Sequence, residues 1–460
     1  MLARLIKYFI RQVVGLLPGK INSYLYEVIR EQNNLSRKTR NEIDAQIGFA
    51  IASVNNEQYD QAETHFKNAA LLDPTNPNIA PHLSRARFLK IRSSSEKAKN
   101  EVRNMQSTLS AMEAELMRKS IYVPSEFWGT FGKFHIALLE KYGIENFKRT
   151  VSHNYQNWFM VNKNDSQEKA LFEIWVKNLP LSLGPWFNTI EIPDHVGLHP
   201  TLSFDNPIYP LAYLEEREIY RITVGILWEY VEKNDQSEIL KALSESEIGN
   251  PIRVTHNEKL ISSDIAHSVR ERGLLLENLS LKGNEALIVG ELGAGHGRLA
   301  EIFGSTTNYR YFIFDITPAL YVSQWYVKNL FPDAKIFEFR SFEEFSEIES
   351  ELENCRFAFF TANQIEKLPS HYVDLFINLN SLTEMRIDQI ENFLYQIDRL
   401  TRMAFLSRQW NKWVNPLDGH SVAKNTFRMN GGWALALDHD DEIYPDFFNQ
   451  IWVKNSSHLT

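Results

Sequence analysis

Residues 286–303 constrain the fold more than any other stretch. The apolar run Ala286-Leu287-Ile288-Val289 leads through Gly290 to Glu291, and glycines follow at 293, 295 and 297. Leu299, Ala300, Ile302 and Phe303 then repeat at helical spacing. A buried strand, a tight turn and a helix therefore follow one another directly, as at the ligand-binding edge of an open α/β sheet. The glycine spacing sorts the ligands. A dinucleotide fingerprint needs Gly-x-Gly-x-x-Gly with a diphosphate on the helix N-terminus. Here the order is Gly-x-Gly-x-Gly, and Arg298 stands in the third glycine's place. Glu291, two positions before the first glycine, would repel a diphosphate but suits a ligand with an ammonium group and no phosphate. S-adenosylmethionine has that chemistry. The next apolar run, Tyr311-Phe312-Ile313-Phe314, ends in Asp315, where an acid can accept both ribose hydroxyls. Glu291, Gly293, Gly295, Gly297 and Asp315 are thus predicted to hold the donor. A glycine turn without ligand and a nicotinamide enzyme stay open as alternatives.

Composition narrows the setting. A chain of 460 residues is too long for one ordinary core and implies two or three domains. A net charge of -9 argues against general nucleic-acid binding. With Cys355 as the only cysteine, an intrachain disulfide and a cysteine metal cluster are both excluded, and a reducing, cytoplasmic compartment is expected. No metal is called for. Leu2, Leu5, Ile6, Phe9, Ile10, Val13, Val14 and Leu17 share a helical face, with Arg4, Lys7 and Arg11 on another. The charges disfavour a cleaved signal peptide. Residues 2–17 read either as a helix docked on the protein's own core or as a peripheral contact at the inner face of the cytoplasmic membrane.

Three regions follow from the pattern. Residues 1–119 are helical, and Ala50, Tyr59, Ala62, Phe66, Ala69 and Pro74 match one tetratricopeptide-like repeat, with Glu57 where a glycine is expected. A lone repeat must pack on its neighbours, and these helices could also receive a protein partner. Arg85, Arg87, Lys90 and Arg92 read as a solvated face or as a site for a phosphate-rich partner. Residues 120–280 are read as a helical and irregular acceptor-side domain, with aromatics at Phe127, Trp128, Phe131 and Phe134 and prolines at 180, 185, 193, 200, 207 and 210. A hairpin over 252–260 and a helix over 263–276 lead out of it. Residues 281–460 alternate strands (286–291, 310–315, 335–339, 356–361, 373–379, 403–408) with helices (297–304, 318–330, 387–400). That alternation predicts a Rossmann-like α/β domain with a parallel sheet covered on both faces, closed by antiparallel strands from the tail after 420.

Further polar clusters fall at predicted strand ends. Asn380, Ser381 and Glu384 follow a buried strand, with a Ser381–Glu384 capping box as the bland reading. Asn363 and Gln364 are expected at the adenine rim, with Phe339-Arg340 as the competitor. Gln409, Trp410, Trp413 and Trp433 offer amides and aromatic faces to a sugar. Candidate proton acceptors are His296, Glu384 and His420. His439 is a further candidate, and its setting in Asp438–Glu442 reads as an exposed acidic loop or as a site for a hard cation.

Taken together, the segments 291–300, 315–326, 359–364, 375–385 and 409–413 resemble the sugar O-methyltransferases associated with bacterial surface-polysaccharide genes. Glu145-Asn146-Phe147, Asn154–Trp158 and Gly249-Asn250-Pro251 extend the resemblance upstream, so that it covers roughly 120–455. His296 stands where similar proteins tend to carry tyrosine, and Thr383 where histidine is expected. The resemblance implies a class I S-adenosylmethionine-dependent enzyme that methylates a hydroxyl of a saccharide or of a nucleotide- or lipid-linked sugar. The competing functions are a non-catalytic interaction protein with a degenerate Rossmann domain and an NAD-linked sugar oxidoreductase.

Overall fold

The computed structural model describes residues 36–151, 190–191 and 224–455, apart from isolated positions at 75, 77–78, 252, 416–418 and 445. The helix predicted over 2–17, the Asn154–Trp158 segment and, apart from 190–191, the proline-rich crossing lie outside the described residues.

The chain enters through helices α1 (Arg37–Asn55), α2 (Tyr59–Leu72), α3 (Ile79–Ser94) and α4 (Glu96–Leu116), then α5 (Glu126–Tyr142) and α6 (224–234). Ser36, Ser95 and Ser125 each accept a backbone N–H at the start of α1, α4 and α5, satisfying a donor that the helix cannot. Ala50, Ala62, Phe66, Ala69 and Leu89 are buried together in a core shared by α1, α2 and α3. The basic face of α3 is spoken for within the protein. Arg85 donates to Tyr142, while Arg87 pairs with Glu63, Lys90 with Asp60 and Arg92 with Glu145.

A small sheet of β1 (Ile190–Glu191), β2 (Arg253–His256) and β3 (Lys259–Ile261) precedes α7 (Ser263–Asn278). The main domain then alternates: β4 (Ile288–Leu292), α8 (Arg298–Thr306), β5 (Arg310–Asp315), α9 (Ala319–Leu330), β6 (Ile336–Phe337), α10 (Glu349–Asn354), β7 (Phe357–Thr361), β8 (Val373–Leu379), α11 (Ile387–Leu400) and β9 (Thr401–Trp410). A hairpin of β10 (Lys412–Val414) and β11 (Ser421–Ala423) and the pair β12 (Trp433–Asp440) and β13 (Phe447–Lys454) complete it. The eight-stranded sheet has the order β12-β13-β9-β8-β4-β5-β7-β6. It is parallel except where β13 runs against β9 and β12. This is a Rossmann-like, doubly wound sheet preceded by a mostly helical region. The strands predicted at 310–315 and 373–379 match residue for residue, whereas 335–339 shortens to two residues.

Alternation along the strands explains why both faces are covered. Tyr311, Ile313, Phe357 and Phe359 join Leu299, Phe303, Leu320 and Val327 of α8 and α9 on one face. Phe312, Phe314, Phe360 and Phe376 join Ile390, Phe393 and Ile397 of α11 on the other. Each such buried phenylalanine contributes about 1.5–3 kcal/mol relative to an exposed one. The helical region is not a separate body: Leu116 and Tyr122 sit in the same core as Phe376 and Phe393, and Met112 packs with Leu275. The sequence boundary at 119–120 therefore falls inside a continuous packing layer. Among the described residues, no helix is long and apolar enough to cross a membrane.

The turn between α1 and α2 shows one local mismatch. Glu57 has φ 59, a left-handed conformation that an L side chain adopts at a cost. Glu57→Gly is expected to stabilise the fold by about 0.5–1 kcal/mol, the relief of strain exceeding the added freedom of the unfolded chain. Urea unfolding with an unchanged slope checks it.

Candidate active site

β5 and β7 lie to one side of β4, and β8 and β9 to the other, so the winding reverses between β4 and β8. Loops leaving these two strands in opposite directions open a crevice at their C-terminal ends. A cavity of about 290 Å³ occupies that crevice. Its lining includes Glu291–His296, Arg298, Asp315, Asn380, Ser381 and Glu384 from the sheet side. Tyr122, Ser125, Phe127, Trp128 and Phe131, all preceding the sheet domain, close it together with Trp410 and Trp413.

The end of β4 is clamped to the end of β8. Asn378 Nδ2 donates to the Leu292 carbonyl at 2.8 Å, and Ser381 Oγ donates to the same oxygen at 3.2 Å. Gly293 lies against this clamp with φ +72, and a Cβ there would stand 2.3 Å from Ser381 Oγ. Only glycine lets the turn approach Ser381 so closely. Gly297, at φ +87, instead packs its backbone against Ser323 and Val327, and it starts α8 rather than lining the cavity.

Two acids bracket the turn. Glu291 accepts the Tyr311 hydroxyl at 2.8 Å, and burial pushes its carboxyl up to about 8 against the pull of Tyr311 and Arg298. Asp315 accepts Ile316 N–H at 2.7 Å and Gly295 N–H at 2.9 Å. Burial still raises it to about 7. Arg298, in the place of a dinucleotide site's glycine, is turned to α7, where Nη2 meets Glu271 Oε1 at 3.0 Å and Nη1 meets Ser268 Oγ at 2.8 Å. With Arg298 paired to Glu271, the acids Glu291 and Asp315 border the turn, and a cationic, phosphate-free ligand beside them would favour their ionised forms.

His296 lines the cavity, but its ring packs into the wall behind the turn. It lies 5.4 Å from Phe147 and 5.7 Å from Tyr326, with Nε2 3.4 Å from Asp264 Oδ2. Burial lowers its pKa well below the usual imidazole value and raises Asp264 to about 6. Around Phe147, the upstream segments of the family-like pattern interlock. Asn250 Nδ2 donates to Asn146 Oδ1 at 2.7 Å, and Gly249, at φ +85, leaves a Cβ only 2.3 Å from the Phe147 ring.

Several sequence-predicted residues have other tasks. Asn363 donates to the Glu115 carbonyl at 2.9 Å, and Gln364 caps its own turn through Thr361 N–H and reaches the Arg340 carbonyl. Neither lines the cavity; Ala362 beside them does. Phe339 and Arg340 are likewise outside its lining. Gln409 sits behind the wall, accepting from Thr383 Oγ1 at 2.7 Å and donating to Asn378 Oδ1 at 2.6 Å. Thr383, at the expected histidine position, is thereby consumed in shaping the 380–384 segment. Trp433 bonds Asp398 through its indole at 2.7 Å, and His420 lies between β10 and β11; neither reaches the cavity. The Ser381–Glu384 capping box does not form, because Ser381 serves Leu292 and Glu384 accepts from Trp128 Nε1 at 2.9 Å. Nor is 438–442 an exposed loop. Asp438–Asp440 belong to β12, and Asp441 is buried between Arg270 at 2.9 Å and Arg408 at 3.2 Å. Among the described residues, no three His, Cys, Asp or Glu side chains are grouped to hold a metal ion.

Sequence reasoning put 120–280 on the acceptor side but named no residue of 122–131 as part of the site. The signal there, rings at Phe127, Trp128 and Phe131, is that of any amphipathic helix packing on a core, so only the fold reveals that they face a cavity.

No protein-family model and no curated protein matches this sequence. Among solved structures, the chain is similar to magnesium protoporphyrin IX methyltransferase of Synechocystis PCC 6803 with bound SAH, at 12% identity over 50% of this chain and 99% of that one, with a TM-score of 0.32. It is also similar to a SAM-dependent methyltransferase from Aquifex aeolicus, at 12% identity over 40% of this chain and 89% of the other, TM-score 0.27. The third is Burkholderia thailandensis 1,6-didemethyltoxoflavin-N1-methyltransferase with S-adenosylhomocysteine, at 13% identity over 42% and 80%, TM-score 0.28.

Five carboxyls in and behind the site are raised by burial: Glu291 and Glu384 to about 8, Asp315 and Glu301 to about 7, and Asp264 to about 6. A carboxyl raised on folding stabilises fully below its unfolded value, and that contribution is lost as pH climbs through the folded value. Asp441, held far below the usual range by Arg270 and Arg408 despite burial, is constant across this window. The thermal midpoint is therefore expected to fall between about pH 5.5 and pH 8.5, and Glu291→Gln to flatten part of that slope. Calorimetric scans across the range measure both.

Proposed function

We propose that the protein transfers the methyl group of S-adenosylmethionine to a hydroxyl of a saccharide, either free or linked to a nucleotide or lipid. The observation that carries the donor is the acidic cradle: Glu291 and Asp315, at the ends of neighbouring strands, flank a glycine turn at the sheet's switch point. A bound ammonium and sulfonium would draw both acids into their ionised forms, whereas a diphosphate would not, which sets the nicotinamide alternative behind. The donor supplies a methyl carbon on a positively charged sulfur. Asp315 is placed to accept the ribose hydroxyls beside its two backbone donors. Glu291 is placed on the ammonium side. Asn380 and Ser381 border the same space from β8.

The rings of Phe127, Trp128, Phe131, Trp410 and Trp413 support a saccharide acceptor, since they offer apolar faces to a ring's C–H surface beside the polar rim of Asn380 and Glu384. The degenerate, non-catalytic alternative predicts no donor binding. Titration calorimetry with S-adenosylmethionine is expected to show one site, and Asp315→Ala to weaken it about 10–100-fold, the worth of one or two hydrogen bonds to a charged group. Folded protein giving no binding heat would sink the proposal.

A further inference from the structure

Glu384 is the acid of the cavity that donor binding does not employ. It keeps some accessible surface because it lines the cavity, yet protein surrounds it closely enough to push its carboxyl up to about 8. Its side chain accepts the Trp128 indole N–H at 2.9 Å, and its backbone carbonyl accepts Ser125 Oγ at 3.2 Å. Both donors come from the start of α5, in the helical layer and not in the sheet domain. Rings frame the pair: Phe131 lies 6.0 Å from Trp128, and Phe127 lies 4.5 Å from Phe131 and 5.7 Å from Trp413. The other charged groups lining the cavity are Glu291, Asp315 and Arg298, and Arg298 is paired with Glu271. Arg386, two residues beyond Glu384, is turned to Asp388 and the Val123 carbonyl. The His296 ring, the competing base, is packed behind the turn against Phe147, Tyr326 and Asp264.

We propose that Glu384 takes the proton that the acceptor hydroxyl gives up on methylation, and that Trp128 is the positioning residue that aims its carboxylate into the cavity. This rests on the methyltransferase reading above. A bond forms between the acceptor oxygen and the methyl carbon as the donor's carbon–sulfur bond breaks, and that electron pair stays on sulfur, leaving a neutral thioether. The hydroxyl proton passes to a Glu384 oxygen and from there to water. A carboxyl whose ionisation lies near the working pH suits a proton acceptor. The indole donor favours the charged form and so works against burial.

Trp128 is also a built-in reporter. The emission difference between wild type and Trp128→Phe, followed over about pH 6–10, is expected to show a transition centred near about 8 that Glu384→Gln abolishes. Absence of a Trp128-dependent transition, or its survival in Glu384→Gln, overturns the pairing. Transfer of labelled methyl from S-adenosylmethionine to a mixture of methyl hexopyranosides supplies the second readout. There Glu384→Gln is expected to lower kcat by about 10²–10⁴-fold at unchanged donor Kd, and Trp128→Phe to move the acid limb of the pH profile to higher pH. A Glu384→Gln kcat within about threefold of wild type overturns the assignment. Calorimetry on the same samples separates the failures. Wild type that takes no donor removes the methyltransferase reading and the assignment with it. Wild type that binds donor but methylates no glycoside overturns the free saccharide as acceptor, and the emission transition then decides on the pairing of Glu384 with Trp128.

Discussion

The pairing of β4 with β8 is the contact on which the rest of the site depends. Val289–Leu292 run in register with Leu375–Asn378, although the two strands are separated in sequence by the whole β5–β7 half of the sheet. Because winding reverses here, the chain must leave the two strand ends in opposite directions, and the crevice is a consequence of topology. The Asn378 amide on the Leu292 carbonyl locks the two ends at the point where the ladder stops. Gln409 on β9 then holds Asn378 and Thr383, so three adjacent strands share one polar chain behind the cavity wall.

The wall behind the glycine turn is built from paired charge. Arg298 meets Glu271, and Arg408 and Arg270 meet Asp441. Lys148 reaches Glu245 and Tyr326, whose hydroxyl in turn donates to Glu301 at 2.6 Å. These residues come from α7, α8, α9, β9 and the loops after α5, α6 and β12, so the network ties the helical layer to the glycine turn. Removing one member of such a buried pair typically costs about 3–5 kcal/mol, because the other charge is left stranded. The pairs therefore specify the docking of these elements more than they add net stability. His296 packs in this wall between Phe147, Tyr326 and Asp264.

Much of the α/β domain was legible because its strands are buried on both faces and its helices on one. Continuous apolar runs such as Tyr311–Phe314 and periodic ones such as Ile387–Leu400 carry that signal directly. That Glu291, Gly293, Gly295 and Asp315 border one space was readable for a related reason, since a turn between strand and helix brings few positions to the sheet edge. Asn363, Gln364, Gln409 and Trp433 misled because a polar or aromatic residue near a strand end looks the same whether it faces a ligand or a neighbouring backbone. Each is consumed by a partner distant in sequence: Glu115, Arg340, Thr383 and Asp398.

By itself, the sequence determined the alternation of strands and helices, the glycine turn and the acids beside it, because those depend on local periodicity and backbone freedom. Tertiary structure alone decided which polar groups face the cavity. It turned His296 into the wall, spent Ser381 on Leu292, and brought α5 across the sheet edge so that Trp128 meets Glu384. That meeting joins residues 256 apart in the chain. No local pattern can encode such a contact, since it exists only when two separately formed surfaces bury their apolar faces together.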